Sequence, residues 1–433
     1  MRCLQLADAF PPDTQFWTAQ WVLPVSADPI EQGFVAALDG KILGVGKIED
    51  LPEGLDIPAH APGSLLTPGL INTHLHLEQS YPNVVHKVPG EPFGDWLLAV
   101  VRQNRQHDGA AEKLQRVLAG CEELLSTGTT CVNDVASGIE ALRGLDERGF
   151  RGFVSLEFFH PASEELQVEA IIQRYEALHS CYAEHSRLHL GLSPHSPYNV
   201  SPPSWKALAE ACKPPLIHAH AAESEDEMAF FQGKPSGIHD VHQKLLGKTF
   251  QPMAPAQSPI QFLARFDLLN NRTILAHVVH TSAEDRKRLA DFGVSVAHCP
   301  RSNLFLQGGT LHFPDWQDCG VVMGLGTDGR VSTENLDLRE EARCAMRLHG
   351  WSAREALRVM TLGGASALRL DNLIGSLESG KRADIVLWQA APASRLSPEV
   401  ALMAPETRVQ SVWIDGQHCW EASKTTSCEP SFV

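Results

Sequence analysis

The chain of 433 residues carries 36 Lys and Arg against 52 Asp and Glu, and its formal charge of −16 excludes a nucleic-acid backbone or an anionic membrane as the main partner. At 43% hydrophobic residues it can build a large core, yet no run nears the roughly 18 uninterrupted apolar residues of a membrane span. Its 10 cysteines are scattered without Cys-x-x-Cys spacing and the N-terminal MRCLQLADAFPPD has no long apolar core, so reduced thiols and a cytoplasmic location are expected.

Taken from the N-terminus, FWTAQWVLPV and FVAALDGKILGVG read as short strands, with Asp39-Gly40 placed as a tight hairpin turn. The same texture returns late in ADIVLWQ and RVQSVWIDGQHCW, with Asp415-Gly416 in the turn. Two strand-rich ends predict one small β-sandwich made of residues 1–66 and 371–433, flanking a barrel domain over 67–370.

Within that middle region TPGLINTHLHLEQS opens as a strand, and LLAVVRQNR and KLQRVLAGCEELLSTG follow as helices. TTCVNDVA, GFVSLEFFH, HLGLSPHS, PLIHAHAAES, TILAHVVH, VSVAHCP and VVMGLGTDG read as further strands, separated by amphipathic stretches such as SAEDRKRLADFG. Eight strands in this order predict an α/β fold of the (β/α)8 barrel type, whose chemistry gathers at the C-terminal ends of the strands. The Pro-rich insert TFQPMAPAQSP is expected at the rim of that mouth.

The strand ends are polar where a packed barrel calls for apolar residues. His74 and His76 close the first strand and, on alternating geometry, point the same way about 7 Å apart. His195 follows the fourth strand, His218, His220 and Glu223 the fifth, His277 and His280 the sixth, His298 the seventh and Asp328 the eighth. One such histidine alone reads as a core residue making two hydrogen bonds. Five successive strand ends are not explained that way. Imidazole and carboxylate groups without thiolate suit Zn²⁺, Fe²⁺ or Mn²⁺ with a position left for water. Spacing leaves His218 competing with His220, and His280 with His277. The interval His220-Ala-Ala-Glu223 favours His220, since it sets a carboxylate just beyond a ligand to receive and pass on a proton. An acidic helix start is the competing account of Glu223, because Ser224, Glu225, Asp226 and Glu227 follow, but only Glu223 sits directly at the strand end, which favours the catalytic role. There is no Gly-x-Gly-x-x-Gly after a strand, no Walker lysine loop and no Gly-x-Ser-x-Gly elbow.

The set PGLINTHLH, STGTT, SPHSPY, HAHAAES, LAHVVH, AHCPRSN, GLGTDG and GSLESGKRADIVLW covers nearly the whole chain. It resembles the amidohydrolase superfamily, in particular the metal-dependent aminohydrolases that deaminate purines, nucleosides and related heterocycles. The resemblance implies one divalent ion, Zn²⁺ before Fe²⁺ or Mn²⁺, on His74, His76, His220 and Asp328. It also implies Glu223 as proton shuttle, His277 orienting the hydrolytic water, Asp328 accepting a proton from it, and His195 touching a sugar or other distal polar group. HLHLEQS with PFGDWLLAVVRQNR, HAAESEDEMAFF and HCPRSNLFL resembles the aminofutalosine deaminase group, which converts the adenine of 6-aminodeoxyfutalosine to hypoxanthine in a menaquinone route. Methylthioadenosine/S-adenosylhomocysteine deaminases share most of these motifs, and relatives act on guanine or triazines.

The expected partner is therefore a small heterocyclic substrate, contacted by His195, Glu223, Glu78, Trp96, Arg105, Arg301 and His298. Arginine's planar fork suits a substrate carboxylate, although a solvated helix face explains Arg102 and Arg105 as well, and lid packing explains Trp96. The resemblance allows a homodimer. The competing reading is a barrel that has lost catalysis and only binds.

Overall fold

The computed structural model describes residues 10–80, 91–159, 165–182, 187–248, 251–252, 254–316, 318–390 and 396–423. Four strands come first: β1 (Gln15–Val22), β2 (Ile30–Leu38), β3 (Lys41–Lys47) and β4 (Ser64–Pro68). The next eight are β5 (Leu70–Leu75), β6 (Thr129–Ala136), β7 (Arg151–Phe158), β8 (Leu188–Pro194), β9 (Ile217–Ala221), β10 (Thr273–His277), β11 (Ser295–His298) and β12 (Met323–Leu325). The chain closes with β13 (Ile385–Gln389), β14 (Arg408–Ile414) and β15 (Gln417–Glu421).

Strands β5 to β12 pair in sequence order, all parallel, as one eight-stranded sheet. A bridge between Leu75 and Asp328 joins the first strand to the segment after the last and closes the ring. Every residue of β5, β6, β9, β10 and β11 is buried, as strands covered on both faces must be. Polar groups inside the barrel pair with one another: Asn133 Nδ2 donates to the Thr73 carbonyl at 3.1 Å, and Ser155 Oγ to Asn133 Oδ1 at 2.8 Å. The eight strands anticipated from sequence are these eight, and the helices Phe93–Gln106, Ala110–Ser126 and Ala283–Asp291 fall where the apolar spacing sets them.

The two chain ends do meet. Their strands form one seven-stranded sheet in the order β15-β14-β13-β4-β1-β2-β3, mixed because β1 and β4 run parallel. Asp39 and Gly40 (φ 50° and 71°), like Asp415 and Gly416 (φ 54° and 70°), take the left-handed pair of a two-residue hairpin. Trp17 on β1 and Trp413 on β14 hold their rings 5.9 Å apart, although β4 and β13 lie between them in the sheet. Flat strands at that separation stand about 14 Å apart, so the sheet curls on itself and encloses Trp17, Val22, Val35, Ile42, Leu66 and Ile385. The sandwich is one continuous curled sheet.

This sheet caps the N-terminal ends of the barrel strands. Gly69 N donates to the Asp384 carbonyl at 2.9 Å where the chain crosses from β4 to β5. Arg151, first in β7, reaches Asp384 at 2.9 Å and Asp415 at 2.6 Å. The Trp388 indole donates to Thr67 Oγ1 at 2.9 Å. The opposite end of the barrel is left open for a site.

The described cysteines are free thiols, Cys121, Cys131, Cys299 and Cys344 being buried. Cys3 and Cys428, and Thr249, Phe250 and Met253 of the Pro-rich insert, lie outside the described residues. Among the described residues no helix is long and apolar enough to cross a membrane.

Candidate active site

His74 is the fifth residue of β5, and His76 stands just past the strand, where a short 3-10 turn, Leu77–Gln79, begins. That turn is tied to the neighbouring strand by Leu77 N donating to Asp134 Oδ1 at 2.8 Å. His220 lies in β9 and its Nδ1 donates to the His195 carbonyl at 2.8 Å, which commits Nε2 as a lone pair. Asp328 follows β12 in the left-handed region at φ 60°. Its Oδ2 accepts from Ser302 Oγ at 2.6 Å and Ser332 Oγ at 2.7 Å, and its Oδ1 from Gly329 N at 2.7 Å.

These four side chains converge. His74 Nε2 and His76 Nε2 lie 3.4 and 3.6 Å from Asp328 Oδ1, and His76 Nε2 lies 3.2 Å from His220 Nε2. The fully buried His74 has no hydrogen bond at either ring nitrogen among the described residues, an arrangement that costs free energy unless a cation takes the lone pair. Burial pushes His74 down to about 4 and His220 well below the usual imidazole range, which keeps both neutral as ligands must be. Burial works to raise the Asp328 carboxyl, but His74, His277 and His76 hold it well below the usual carboxylate range. Three neutral imidazoles and one carboxylate fit a divalent ion such as Zn²⁺. His218 lies beneath, stacked on His74 at 4.7 Å with Nδ1 on Ser193 Oγ at 3.2 Å, so the geometry gathers His220 into the cluster and leaves His218 out.

Glu223 precedes the helix Glu225–Phe231, whose cap is Ser224. An acidic helix start accounts for Glu225, Asp226 and Glu227, while Glu223 sits at the strand exit. Its backbone N–H donates to Glu227 Oε2 at 2.9 Å, just after Ala222 turns left-handed at φ 54°. Burial raises the Glu223 carboxyl above its usual range, against the pull of His277. His277, at φ 70°, points Nε2 toward Glu223 Oε1 at 3.7 Å and Nδ1 at Asn303 Oδ1, 2.9 Å away. His280 Nε2 instead bonds the Gly308 carbonyl at 2.6 Å. Left-handed non-glycine residues cost on the order of 1–3 kcal/mol each, and four stand here, Ala222, His277, Val278 and Asp328, because neighbouring elements hold them.

A cavity of 480 Å³ opens over this cluster. His76, His220, Glu223, His277 and Asp328 line its deep end. Phe93, Trp96, Val100, Phe230 and Phe262 give it an apolar wall, and Arg105 stands exposed on the same lining. Glu78 and His195 line it too. Glu78 Oε2 accepts from Ser137 N at 3.1 Å and Oγ at 2.5 Å, while its buried Oε1 has no hydrogen-bond partner among the described residues. His195 Nδ1 meets Glu157 Oε1 at 2.8 Å, and its ring lies tilted against that of His220 with centroids 4.6 Å apart.

Two expected substrate contacts are placed elsewhere. Arg301 bonds Asn335 Oδ1 at 2.9 Å, pairs with Glu341 at 3.5 Å and does not line the cavity. His298 turns away from the mouth, with Nε2 on His349 Nε2 at 3.0 Å. A strand end carries a side chain either to the mouth or to the helix layer, and spacing does not say which. Arg102 is likewise not part of the lining, and Arg330 pairs with Glu123 at 3.2 Å. Sequence reasoning assigned no role to Glu157, Ser137, Ser302, Ser332 or Asn303. Glu157 was discoverable as a polar residue near the end of the third barrel strand, whereas Ser137, Ser302 and Asn303 bond residues distant in the chain.

A closed βα barrel with imidazoles, a carboxylate and a raised glutamate at its C-terminal mouth defines a hydrolase built around a divalent cation. The amidohydrolase family pattern matches residues 65–419, and the chain belongs to that family; it is a hydrolase of carbon–nitrogen bonds. A 5-methylthioadenosine/S-adenosylhomocysteine deaminase of Saccharophagus degradans is 30% identical over 436 residues, covering 92% of this chain and 90% of the relative. The crystal structure of an adenosine deaminase from Xanthomonas campestris with bound zinc superposes with a TM-score of 0.80 at 26% identity, covering 93% of this chain and 92% of that one. Helicobacter pylori aminofutalosine deaminase matches with a TM-score of 0.80 at 21% identity over 94% of this chain and 99% of its own, a likeness of fold.

Proposed function

We propose that the protein is a hydrolytic deaminase of a 6-aminopurine nucleoside carrying an aromatic carboxylate at its far end, of which 6-aminodeoxyfutalosine is the example that fits best. The observation that carries this reading is the cavity itself, whose one lining brings together Glu223, the histidine cluster, an aromatic set of Phe93, Trp96, Phe230 and Phe262, and Arg105. His74, His76, His220 and Asp328 would hold a divalent ion, Zn²⁺ in the first instance, and when bound it would supply a water acidified toward neutral pH. Glu223 takes a proton from the attacking water and gives it to the ring nitrogen beside the amino-bearing carbon. His277 and Asp328 hold the attacking oxygen in line. A second transfer through Glu223 protonates the departing amine, the carbon–nitrogen bond breaks, and ammonia leaves a ring carbonyl. Glu78 and His195, which also line the cavity, are the groups that would meet a sugar's hydroxyls.

A second reading, methylthioadenosine or S-adenosylhomocysteine as substrate, is favoured by the Saccharophagus degradans relative and by the apolar wall, which also suits a thioether. Ammonia release by the zinc-loaded protein across aminodeoxyfutalosine, methylthioadenosine, S-adenosylhomocysteine, adenosine, guanine and a triazine separates them. The highest kcat/KM is expected for the carboxylate-bearing nucleoside. Silence across the whole panel would leave a binding barrel and sink the deaminase reading.

A further inference from the structure

The helix Pro300–Phe305 follows β11 and carries two polar residues, Ser302 and Asn303, that are buried and turned inward. Each reaches a different part of the cluster. Ser302 Oγ donates to Asp328 Oδ2 at 2.6 Å, and Asn303 Oδ1 accepts from His277 Nδ1 at 2.9 Å. His277 belongs to β10 and Asp328 follows β12, so this one turn of helix spans the two groups from between their strands. The helix is itself anchored from outside. Arg301 N donates to Glu341 Oε2 at 2.9 Å, the Arg301 guanidinium pairs with Glu341 Oε1 at 3.5 Å and donates to Asn335 Oδ1 at 2.9 Å. Behind it, Gly308 N donates to the Asn303 carbonyl at 3.0 Å while His280 Nε2 holds the Gly308 carbonyl at 2.6 Å.

On the reading that the site is a hydrolytic deaminase, we propose that Ser302 and Asn303 are positioning residues that set His277 and Asp328 on the attacking water, and that Arg301 anchors their helix. The chemistry follows from the donors. An Asn303 oxygen on Nδ1 fixes the His277 proton there and leaves Nε2 as an acceptor facing Glu223 and the deep end of the cavity. A hydroxyl on Asp328 Oδ2 fixes the carboxylate's rotation and leaves Oδ1 toward His74 and His76. Neither Ser302 nor Asn303 lines the cavity, so neither contacts the substrate.

The test compares Asn303→Leu, which keeps the size and removes the acceptor, with Asn303→Asp, which restores an oxygen, and with Ser302→Ala. Replacing residues that orient a site's primary groups lowers activity roughly 10–100-fold. A loss of that size in kcat, with KM within about twofold and zinc content unchanged, is expected for Asn303→Leu and Ser302→Ala. Asn303→Asp should recover most of it. Proton-detected spectra of histidine-labelled, zinc-free protein should show the His277 Nδ1 hydrogen in the wild type and in Asn303→Asp but not in Asn303→Leu. Should Asn303→Leu not fold, Asn303→Ala makes the same comparison. Wild-type kcat in the acceptor-free variant, or a loss confined to KM, overturns the proposal, as does zinc loss shared by both Asn303 variants. A wild-type protein that releases no ammonia refutes the deaminase reading instead, and the spectra then still decide whether Asn303 fixes His277.

Discussion

His220 gives its Nδ1 hydrogen to the carbonyl of His195 at 2.8 Å, and its unprotonated Nε2 faces His76 Nε2 3.2 Å away. Asp328 Oδ1 and His74 Nε2, which has no hydrogen-bond partner among the described residues, stand on the same spot, so a cation there satisfies several acceptors that protein hydrogens leave exposed to one another. Removing the metal with a chelator should therefore abolish ammonia release and lower the unfolding temperature, and Zn²⁺ should restore both. An ion present at a hundred times its dissociation constant stabilises by about 2.7 kcal/mol, which calorimetry resolves. Identical melting with and without Zn²⁺, together with no zinc in the purified protein, would refute the cage.

Glu223 is expected to carry the proton without holding the ion. Glu223→Gln should lower kcat by roughly 10²–10⁴-fold while zinc content and affinity for the 6-oxo product stay as in the wild type. The comparison is a titration of product binding against turnover for the two proteins. Undiminished turnover in Glu223→Gln would remove it from the mechanism.

Much of this was legible because barrel strands expose their purpose at their ends. His74, His76, His220, Glu223, His277 and Asp328 are polar residues closing otherwise buried runs, and the structure brings all six to one mouth. What sequence left open was direction and partnership. His298 ends its strand just as His277 does, yet turns outward to His349, because the neighbouring helix surface offers it a hydrogen bond. Arg301 looked free to meet a carboxylate until Glu341, 40 positions later, was folded against it. The end sheet's curl was equally hidden, since it depends on Trp17 meeting Trp413 across strands from opposite ends of the chain.

Arg105 lines the cavity from an exposed position and makes no ion pair among the described residues. If it receives the substrate's carboxylate, Arg105→Gln should lower kcat/KM for aminodeoxyfutalosine by about fivefold, equivalent to the ~1 kcal/mol of a partly exposed pair. Methylthioadenosine, which has no carboxylate, should be unaffected. A uniform loss across both substrates would assign Arg105 to packing of the helix Phe93–Gln106.

Burial pushes His298 down to about 3, well below the ordinary imidazole value near 6.5. Between those values the unfolded chain binds a proton that the folded one refuses, so the histidine's contribution favours folding above about pH 6.5 and is lost as pH falls toward 3. His298→Gln carries no such proton. Urea unfolding of both proteins, zinc-free, should show wild type losing stability relative to His298→Gln by about 1.4 kcal/mol per pH unit through that window. Parallel pH profiles would mean that His298 is protonated in the folded state.

The barrel and the end sheet are held at a charged seam whose centre is Arg151. Its guanidinium reaches Asp384 at 2.9 Å and Asp415 at 2.6 Å, and all three side chains are largely shielded from water. Arg187 also pairs with Asp415, at 2.7 Å, and Arg382 bonds the same carboxylate, so Asp415 keeps cationic partners without Arg151, whereas Asp384 has no other ion pair among the described residues. Removing one partner of a buried pair typically costs about 3–5 kcal/mol, because the remaining charge stays desolvated. Arg151→Met should therefore destabilise the protein by about that amount, and adding Asp384→Asn should recover part of the loss by removing the stranded charge. Because the seam sits at the N-terminal ends of the strands, kcat and KM at a temperature where both variants remain folded should match the wild type. A double variant no more stable than Arg151→Met alone would show that Asp384 takes its charge compensation elsewhere.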